Sequence, residues 1–268
     1  MKNQVLDSLI SENVYGHKKR LTWMLNFIEQ SDLILEVGCG TGYMITRPLV
    51  QLGYSVQGLD LSEKSIEYGK KLFLKENLDP LVLHCENLKN FNGEFDTIII
   101  SEVLEHMKTS EIEEILDLIF SKLKKNGKIL VTVPFGYGWA EFESWIWKRS
   151  GLKKWMYFFR LNKFIHFITR EPKTVESNSL VKGTLEPLST LDESPHIQKF
   201  NINRLRLLLE KHGFKVEHQE GGSLWCGPLT NALFKRSSCF MKLNNYLGSK
   251  FPRLASAFYL LGRKENLS

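Results

Sequence analysis

The chain has 268 residues, 43% apolar and 25% charged, and a formal net charge of +6. That length suits one large α/β domain with an elaboration or two small domains, and the composition is ordinary for a soluble globular protein. The four cysteines, Cys39, Cys85, Cys226 and Cys239, have neither C-x-x-C spacing nor disulfide-scaffold density; with no signal-peptide core at the start and no apolar run of transmembrane length, a reducing cytoplasm is expected.

In chain order, residues 13–30 read as an amphipathic helix, with Val14, Leu21, Leu25 and Ile28 at helical spacing. It carries a basic cluster at residues 17–20, of which Lys18 and Lys19 read as a solvated face. Leu33–Val37 is an apolar run of strand length. Gly38, Gly40 and Gly42 follow it, before a helix-compatible stretch over residues 43–52. A second apolar run, residues 55–59, is closed by Asp60. This order signs a βαβ unit whose first turn cradles a ligand, with Glu36 and Asp60 at the carboxyl edge of a parallel sheet. Glycine suits such a turn because it visits positive φ and lets a ligand lie against the backbone. The free N–H groups of the helix start favour a negative group. A tight turn without ligand and an NAD site are the alternatives.

Ser62 is a plausible N-cap for the next helix, which has Ile66, Leu72 and Phe73 on one side. Residues 80–85 read as a short third strand, and the β-branched run Phe95–Ser101 as a fully buried fourth. A helix over about 110–125 presents Ile112, Ile115, Leu116, Ile119 and Leu123 to the core, Asn126-Gly127 stops it, and residues 128–134 form the fifth strand. The α/β rhythm breaks from Phe135 to about Ile197. It resumes with a helix over 202–212, Gly213 at its C′ position and a sixth strand; a second insertion at about 224–255 and a last strand over 257–263 follow only from a family resemblance. The expected division is therefore 1–134, 135–197 and 198–268.

The run E-x-G-x-G-x-G over residues 36–42, the acid at Asp60 and EVLEHM after the fourth strand together resemble the class I S-adenosylmethionine-dependent methyltransferases. The resemblance covers residues 33–134, 194–221 and the last strand. It implies an α/β, seven-stranded, doubly wound Rossmann-like sheet whose last strand is antiparallel, with the two insertions forming a helical cap. It also implies that Glu36, Gly38, Cys39, Gly40 and Gly42 form the cofactor turn, with the glycines under the methionine end, and that Asp60 holds the ribose. Leu61 would lie against the adenine, Glu86, Asn87 and Leu88 would border it, and His84 stands where many relatives place an Asp. Ser101 joins the cofactor set, and Arg20, on an N-terminal helix that in many members closes over the cofactor, would meet its carboxylate.

Glu102, Glu105 and His106 share one face if that segment is a helical turn. His196 lies in a loop reaching the same edge. Two oxygens and two nitrogens suit Mg²⁺, Mn²⁺ or Zn²⁺. The pattern resembles the ubiquinone-biosynthesis O-methyltransferases and the small-RNA 2′-O-methyltransferases, the latter implying a divalent metal on these four side chains. Where such enzymes lack a metal the histidine is a base or lines the pocket, which makes His106, His196 and Glu105 the catalytic candidates.

Charge is unevenly spread. Residues 139–170 hold seven Lys/Arg and two Glu, residues 221–264 hold seven Lys/Arg and no acid, and the remainder has 22 against 28. The first segment interleaves Trp139, Phe142, Trp145, Trp147, Trp155 and further aromatics with its cations. A lid over an apolar pocket, an anionic-membrane surface, a nucleic-acid groove and a hairpin packed on the core are the four readings. Lid plus membrane surface ranks first because the second insertion repeats the composition, whereas a nucleic-acid groove would carry more Arg. The expected activity is methyl transfer from S-adenosylmethionine to a hydroxyl of a small apolar or membrane-associated acceptor, such as a quinone precursor, lipid or lipid-linked glycan. The protein is expected in the cytoplasm or peripheral to the inner face of the membrane. A metal-dependent RNA 2′-O-methyltransferase and a non-catalytic cofactor-binding or scaffold protein are the alternatives.

Overall fold

Seven strands account for the centre of the computed structural model: β1 (Leu33–Val37), β2 (Ser55–Asp60), β3 (Leu83–Cys85), β4 (Phe95–Ser101), β5 (Leu123–Pro134), β6 (Phe214–Gly221) and β7 (Ala257–Lys264). They form one sheet in the order β3-β2-β1-β4-β5-β7-β6. β1 to β5 are parallel, and β7 runs antiparallel to both its neighbours. Among the described residues seven α-helices accompany the strands: α1 (His17–Leu25), α2 (Thr46–Gln51), α3 (Glu63–Lys75), α4 (Thr109–Lys122), α5 (Ile202–Lys211), α6 (Pro228–Phe234) and α7 (Ser238–Lys250). The structure describes residues 6, 12–136, 138–139, 142–143, 145, 196–234 and 237–265. Trp147, Trp155 and most of the first insertion lie outside the described residues.

The sheet is buried on both sides because its strands present apolar groups in both directions. On β4, Ile98 and Ile100 enter one core with Ile112, Leu116 and Ile119 of α4 and Leu205 and Leu209 of α5. Ile99 enters the other, with Leu21 and Met24 of α1 and Leu49 of α2. This is the two-faced burial that makes a parallel strand read as a continuous apolar run. The chain passes outward from β1 to β3 and then restarts at β4 on the other side, so the switch in strand order falls between β1 and β4. In open α/β sheets that crevice, at the carboxyl ends of the strands, is where ligands bind.

Several boundaries differ from the sequence reading for identifiable reasons. α1 starts at His17 because Gly16 holds a left-handed conformation at φ 69°. It ends at Leu25, and Ile28 is buried by the turn that follows, so the apolar spacing outlasts the helix. α2 starts only at Thr46, since residues 41–45 are turn and bend. β3 is three residues long because residues 80–82 form a 3₁₀ turn, capped where Asp79 Oδ1 accepts from Leu81 N at 2.9 Å. Asn126-Gly127 does not stop a helix: α4 ends at Lys122, and Asn126, at φ 61°, belongs to an irregularity in β5 between the pairs Phe95↔Leu123 and Thr97↔Lys128.

The second insertion folds as α6 and α7. Residues of the first insertion are fastened to it by Glu143, which is buried: its Oε2 accepts from Leu229 N at 2.9 Å and Thr230 N at 3.0 Å, and its Oε1 accepts from Thr230 Oγ1 and Trp139 Nε1.

Candidate active site

The glycine turn occupies the crevice between β1 and β4, and its three glycines serve different ends. A Cβ on Gly38 would lie 2.4 Å from Val103 Cγ2, and one on Gly42 would lie 2.8 Å from Leu83 Cδ2, so these two are fixed by packing within the protein. A Cβ on Gly40, at φ 57°, would meet nothing within 4 Å. Gly40 is thus the position where backbone is laid open for a ligand, which narrows the expectation that all three pass under the cofactor.

A cavity of about 230 Å³ opens here, lined among others by Gly38, Cys39, Gly40, Thr41, Tyr43, Ser101 and Glu102, with Arg20 and Glu36 in its wall. Asp60, at the end of β2, fixes the turn from the other side: Oδ2 accepts from Gly40 N at 2.7 Å and Oδ1 from Ser62 N at 2.8 Å. Each carboxylate oxygen keeps further acceptor capacity for ligand hydroxyls. Next to it Leu61 is 72% exposed, an apolar face presented to solvent or to a flat ligand. Glu36 is buried and accepts at Oε2 from Thr46 N at 2.9 Å and from Thr46 Oγ1. Burial pushes its carboxyl up to about 7, against the lowering effect of the Thr46 hydrogen bonds. Burial likewise drives the Cys39 thiol far up, which keeps it protonated and unreactive.

Arg20 reaches into this cavity from α1, where Nη1 lies 3.0 Å from Glu102 Oε1. Glu102 follows β4 in a left-handed conformation at φ 56°, a strained setting for a residue with a side chain and one that recurs at functional sites. Thr132 holds it twice, its carbonyl accepting from Glu102 N at 2.9 Å and its Oγ1 donating to Glu102 Oε1 at 3.1 Å, with Ser101 Oγ 2.7 Å from the same hydroxyl. The expected helical turn that would align Glu102 with Glu105 is therefore replaced by a 3₁₀ turn over Leu104–His106. This removes Glu102 from the four-ligand arrangement: its carboxylate turns to Arg20.

The other three candidates do meet. The backbone N–H groups of Ile197 and Gln198 donate to Glu105 O at 2.8 and 3.0 Å, which brings the loop before α5 onto the turn after β4. The His106 and His196 rings then stand edge to face, with centroids 4.8 Å apart, and Glu105 Oε1 lies 3.8 Å from His106 Nε2. The ligating atoms of Glu105, His106 and His196 all fall within 4.8 Å of one another. Glu105 is 1% exposed, and neither carboxylate oxygen has a hydrogen-bond partner among the described residues. Burial first, and the Glu102 charge second, raise its carboxyl well above the usual range, so it is held in the protonated form.

Elsewhere the placement is less favourable to the sequence reading. The Leu88 side chain packs in the core with Phe91 and Phe95, so only its backbone can face a cofactor. Asn87 Oδ1 accepts from Lys89 N at 2.9 Å, and Glu86 is exposed. Lys19 is not a solvated cation: Nζ donates to Gly221 O at 2.6 Å, to Gly222 O and Asn245 O at 2.8 Å each, and to Ser249 Oγ at 2.7 Å. Burial lowers it to about 8, partly offset by Glu220. Sequence reasoning missed this anchor, the Thr46 hold on Glu36 and the Thr132 hold on Glu102. Apart from Glu36 and Thr46, the partners lie too far apart in sequence for any local pattern to link them.

Fold and turn together define an α/β protein that holds a nucleoside-bearing ligand at the β1/β4 crevice. A family model described as a methyltransferase domain matches residues 15–219. The chain belongs to the class I S-adenosylmethionine-dependent methyltransferase family. Curated relatives include the ubiquinone biosynthesis O-methyltransferase of Pelagibacter ubique, 36% identical over 100 residues, 37% of this chain and 40% of that protein. The protein of the same name from Caulobacter vibrioides is 27% identical over 158 residues, 53% of this chain and 60% of its own length. The chain thus spans less than two thirds of these relatives. Among solved structures, the magnesium protoporphyrin IX methyltransferase of Synechocystis with bound SAH has the same fold at a TM-score of 0.51 and 15% identity, covering 93% of this chain and 81% of that one.

Proposed function

We propose that this protein transfers the methyl group of S-adenosylmethionine to a hydroxyl of a small, largely apolar acceptor, of the class of a quinone precursor, a lipid or a lipid-linked glycan. The observation that carries the reading is the cavity lined by Gly40, Arg20 and Glu102, with Asp60 holding Gly40 N, together with the Glu105–His106–His196 cluster. When bound, S-adenosylmethionine supplies an electrophilic methyl on a cationic sulfur. The chain's own task is alignment of a nucleophile with that methyl, together with removal of a proton where the acceptor is a phenol or sugar hydroxyl.

Asp60, already oriented by two backbone N–H groups, accepts from the ribose hydroxyls. Arg20 takes the cofactor carboxylate in exchange for Glu102. His106 or His196 accepts the acceptor's proton, imidazole being the side chain suited to proton transfer near neutral pH. Glu105, held protonated at 3.8 Å, faces His106 without neutralising it. The hydroxyl acceptor is favoured by the names of the ubiquinone-type relatives, which are O-methyltransferases.

Titration calorimetry tests the cofactor half. Asp60→Ala should weaken S-adenosylmethionine binding by about tenfold to a hundredfold, as loss of charge-assisted hydrogen bonds costs about 1.5–3 kcal/mol. Unchanged affinity, or no binding by the wild type, sinks the reading. A labelled-methyl screen against lipid, phenol and RNA fractions tests the acceptor, with product in the RNA fraction alone favouring the 2′-O-methyltransferase alternative. A divalent ion on Glu105, His106 and His196 is a second reading, supported by their shared 4.8 Å spacing. Their mixed oxygen and nitrogen donors suit Zn²⁺ or Mn²⁺. Full activity after chelation would remove it.

A further inference from the structure

We propose that the outward face of α7 and the turn after it docks on an anionic phospholipid bilayer. The buried stripe of α7, Met241, Asn244 and Gly248, faces the body, and Asn245 and Ser249 beside it are held by Lys19. Contact at Gly248 is close enough that a Cβ there would stand 1.8 Å from Gly222 O. The opposite face carries Leu243 and Tyr246, and the 3₁₀ turn over Pro252–Leu254 continues it with Phe251 and Leu254. Tyr246 and Leu254 are each 63% exposed, and with Leu243 and Phe251 they give this region four large apolar side chains open to solvent.

The occupant follows from charge. Lys242 and Lys250 lie exposed on the same helix, and neither makes an ion pair among the described residues. No carboxylate occurs anywhere in residues 221–264, which hold seven Lys/Arg. A protein partner selected for specificity usually meets mixed charges. A face that presents Leu243 and Tyr246 with Lys242 and Lys250 matches the headgroup boundary of an anionic membrane, where apolar side chains enter the acyl layer and cations contact lipid phosphates. Contact with a bilayer would place the cap region against the compartment in which an apolar acceptor dissolves. The docking proposal does not depend on which acceptor is used.

Flotation of the full chain with vesicles tests it. Wild type should float with phosphatidylcholine vesicles containing phosphatidylglycerol and stay down with phosphatidylcholine alone, and added salt should weaken the association. Lys242→Glu with Lys250→Glu should reduce association by about tenfold or more, since each cation near such a surface contributes about 1 kcal/mol. Leu243→Ser with Tyr246→Ser should reduce it independently. Unchanged S-adenosylmethionine affinity by calorimetry in both double variants shows that the fold survives. Equal flotation with both vesicle types, no flotation of the wild type, or variants that float like wild type would overturn the proposal. So would a dimer by light scattering that the Leu243/Tyr246 variant dissociates without any vesicle binding, or salt-sensitive binding to RNA oligonucleotides in place of vesicles.

Discussion

Two acids in the crevice, the buried Glu36 and the half-buried Glu102, are held in unlike ways, and each should respond differently to substitution. Glu36 has a folded-state pKa near 7 against 4.5 for an exposed carboxyl, so the native state binds its proton more tightly than the unfolded chain. Stability from this group is therefore undiminished below about 4.5, falls as pH rises through the window up to 7, and stays reduced above it. Glu36→Gln should raise the stability of the cofactor-free protein at pH 8 by about 2 kcal/mol and change little near pH 4.5, an outcome readable from urea midpoints at the two pH values. Glu102 is instead held by Arg20, a partner that the proposed function assigns to the cofactor carboxylate. Arg20→Ala should weaken cofactor binding by about tenfold, whereas Glu102→Gln should leave it equal or tighter, because a competing carboxylate has been removed. Weakening of similar size in both variants would mean that the pair acts as a fixed unit.

At the scale of elements, α1 forms one wall of the site, and Lys19 adds an anchor to the core packing of its Leu21 and Met24. Lys19→Met should cost about 2 kcal/mol in urea unfolding, since three backbone carbonyls lose a cationic donor. α7 depends on Gly248 in a similar way. Gly248→Ala forces backbone against backbone, and the 235–255 segment should become sensitive to limited proteolysis while the β1–β5 half resists. The seventh strand came from the family resemblance; periodicity found α3, α4, α5 and the first six strands because each turns one or both faces to a core that demands apolar groups. It misplaced the end of α4 because Asn-Gly is a signal for positive φ, and a strand irregularity uses that conformation as readily as a helix stop.

For the whole molecule, what was legible in the sequence was whatever a run of neighbours encodes: the glycine turn, the acid closing β2, the buried β4 and the return of α5 and β6. The candidate cluster was legible in its members and not in its geometry, since the left-handed Glu102 that stands apart from it is held by Thr132, thirty residues away in sequence. The Glu143 fastening between the two insertions and the Lys19 anchor join residues 86 to 230 positions apart, beyond the reach of any local pattern. That anchor also imposes an order on assembly. A chain emerging from the ribosome can form β1 to β5 and the glycine turn early, but the carbonyls of Gly221, Gly222 and Asn245 arrive late. The Lys19 fastening of α1 is therefore made only after synthesis has passed α7.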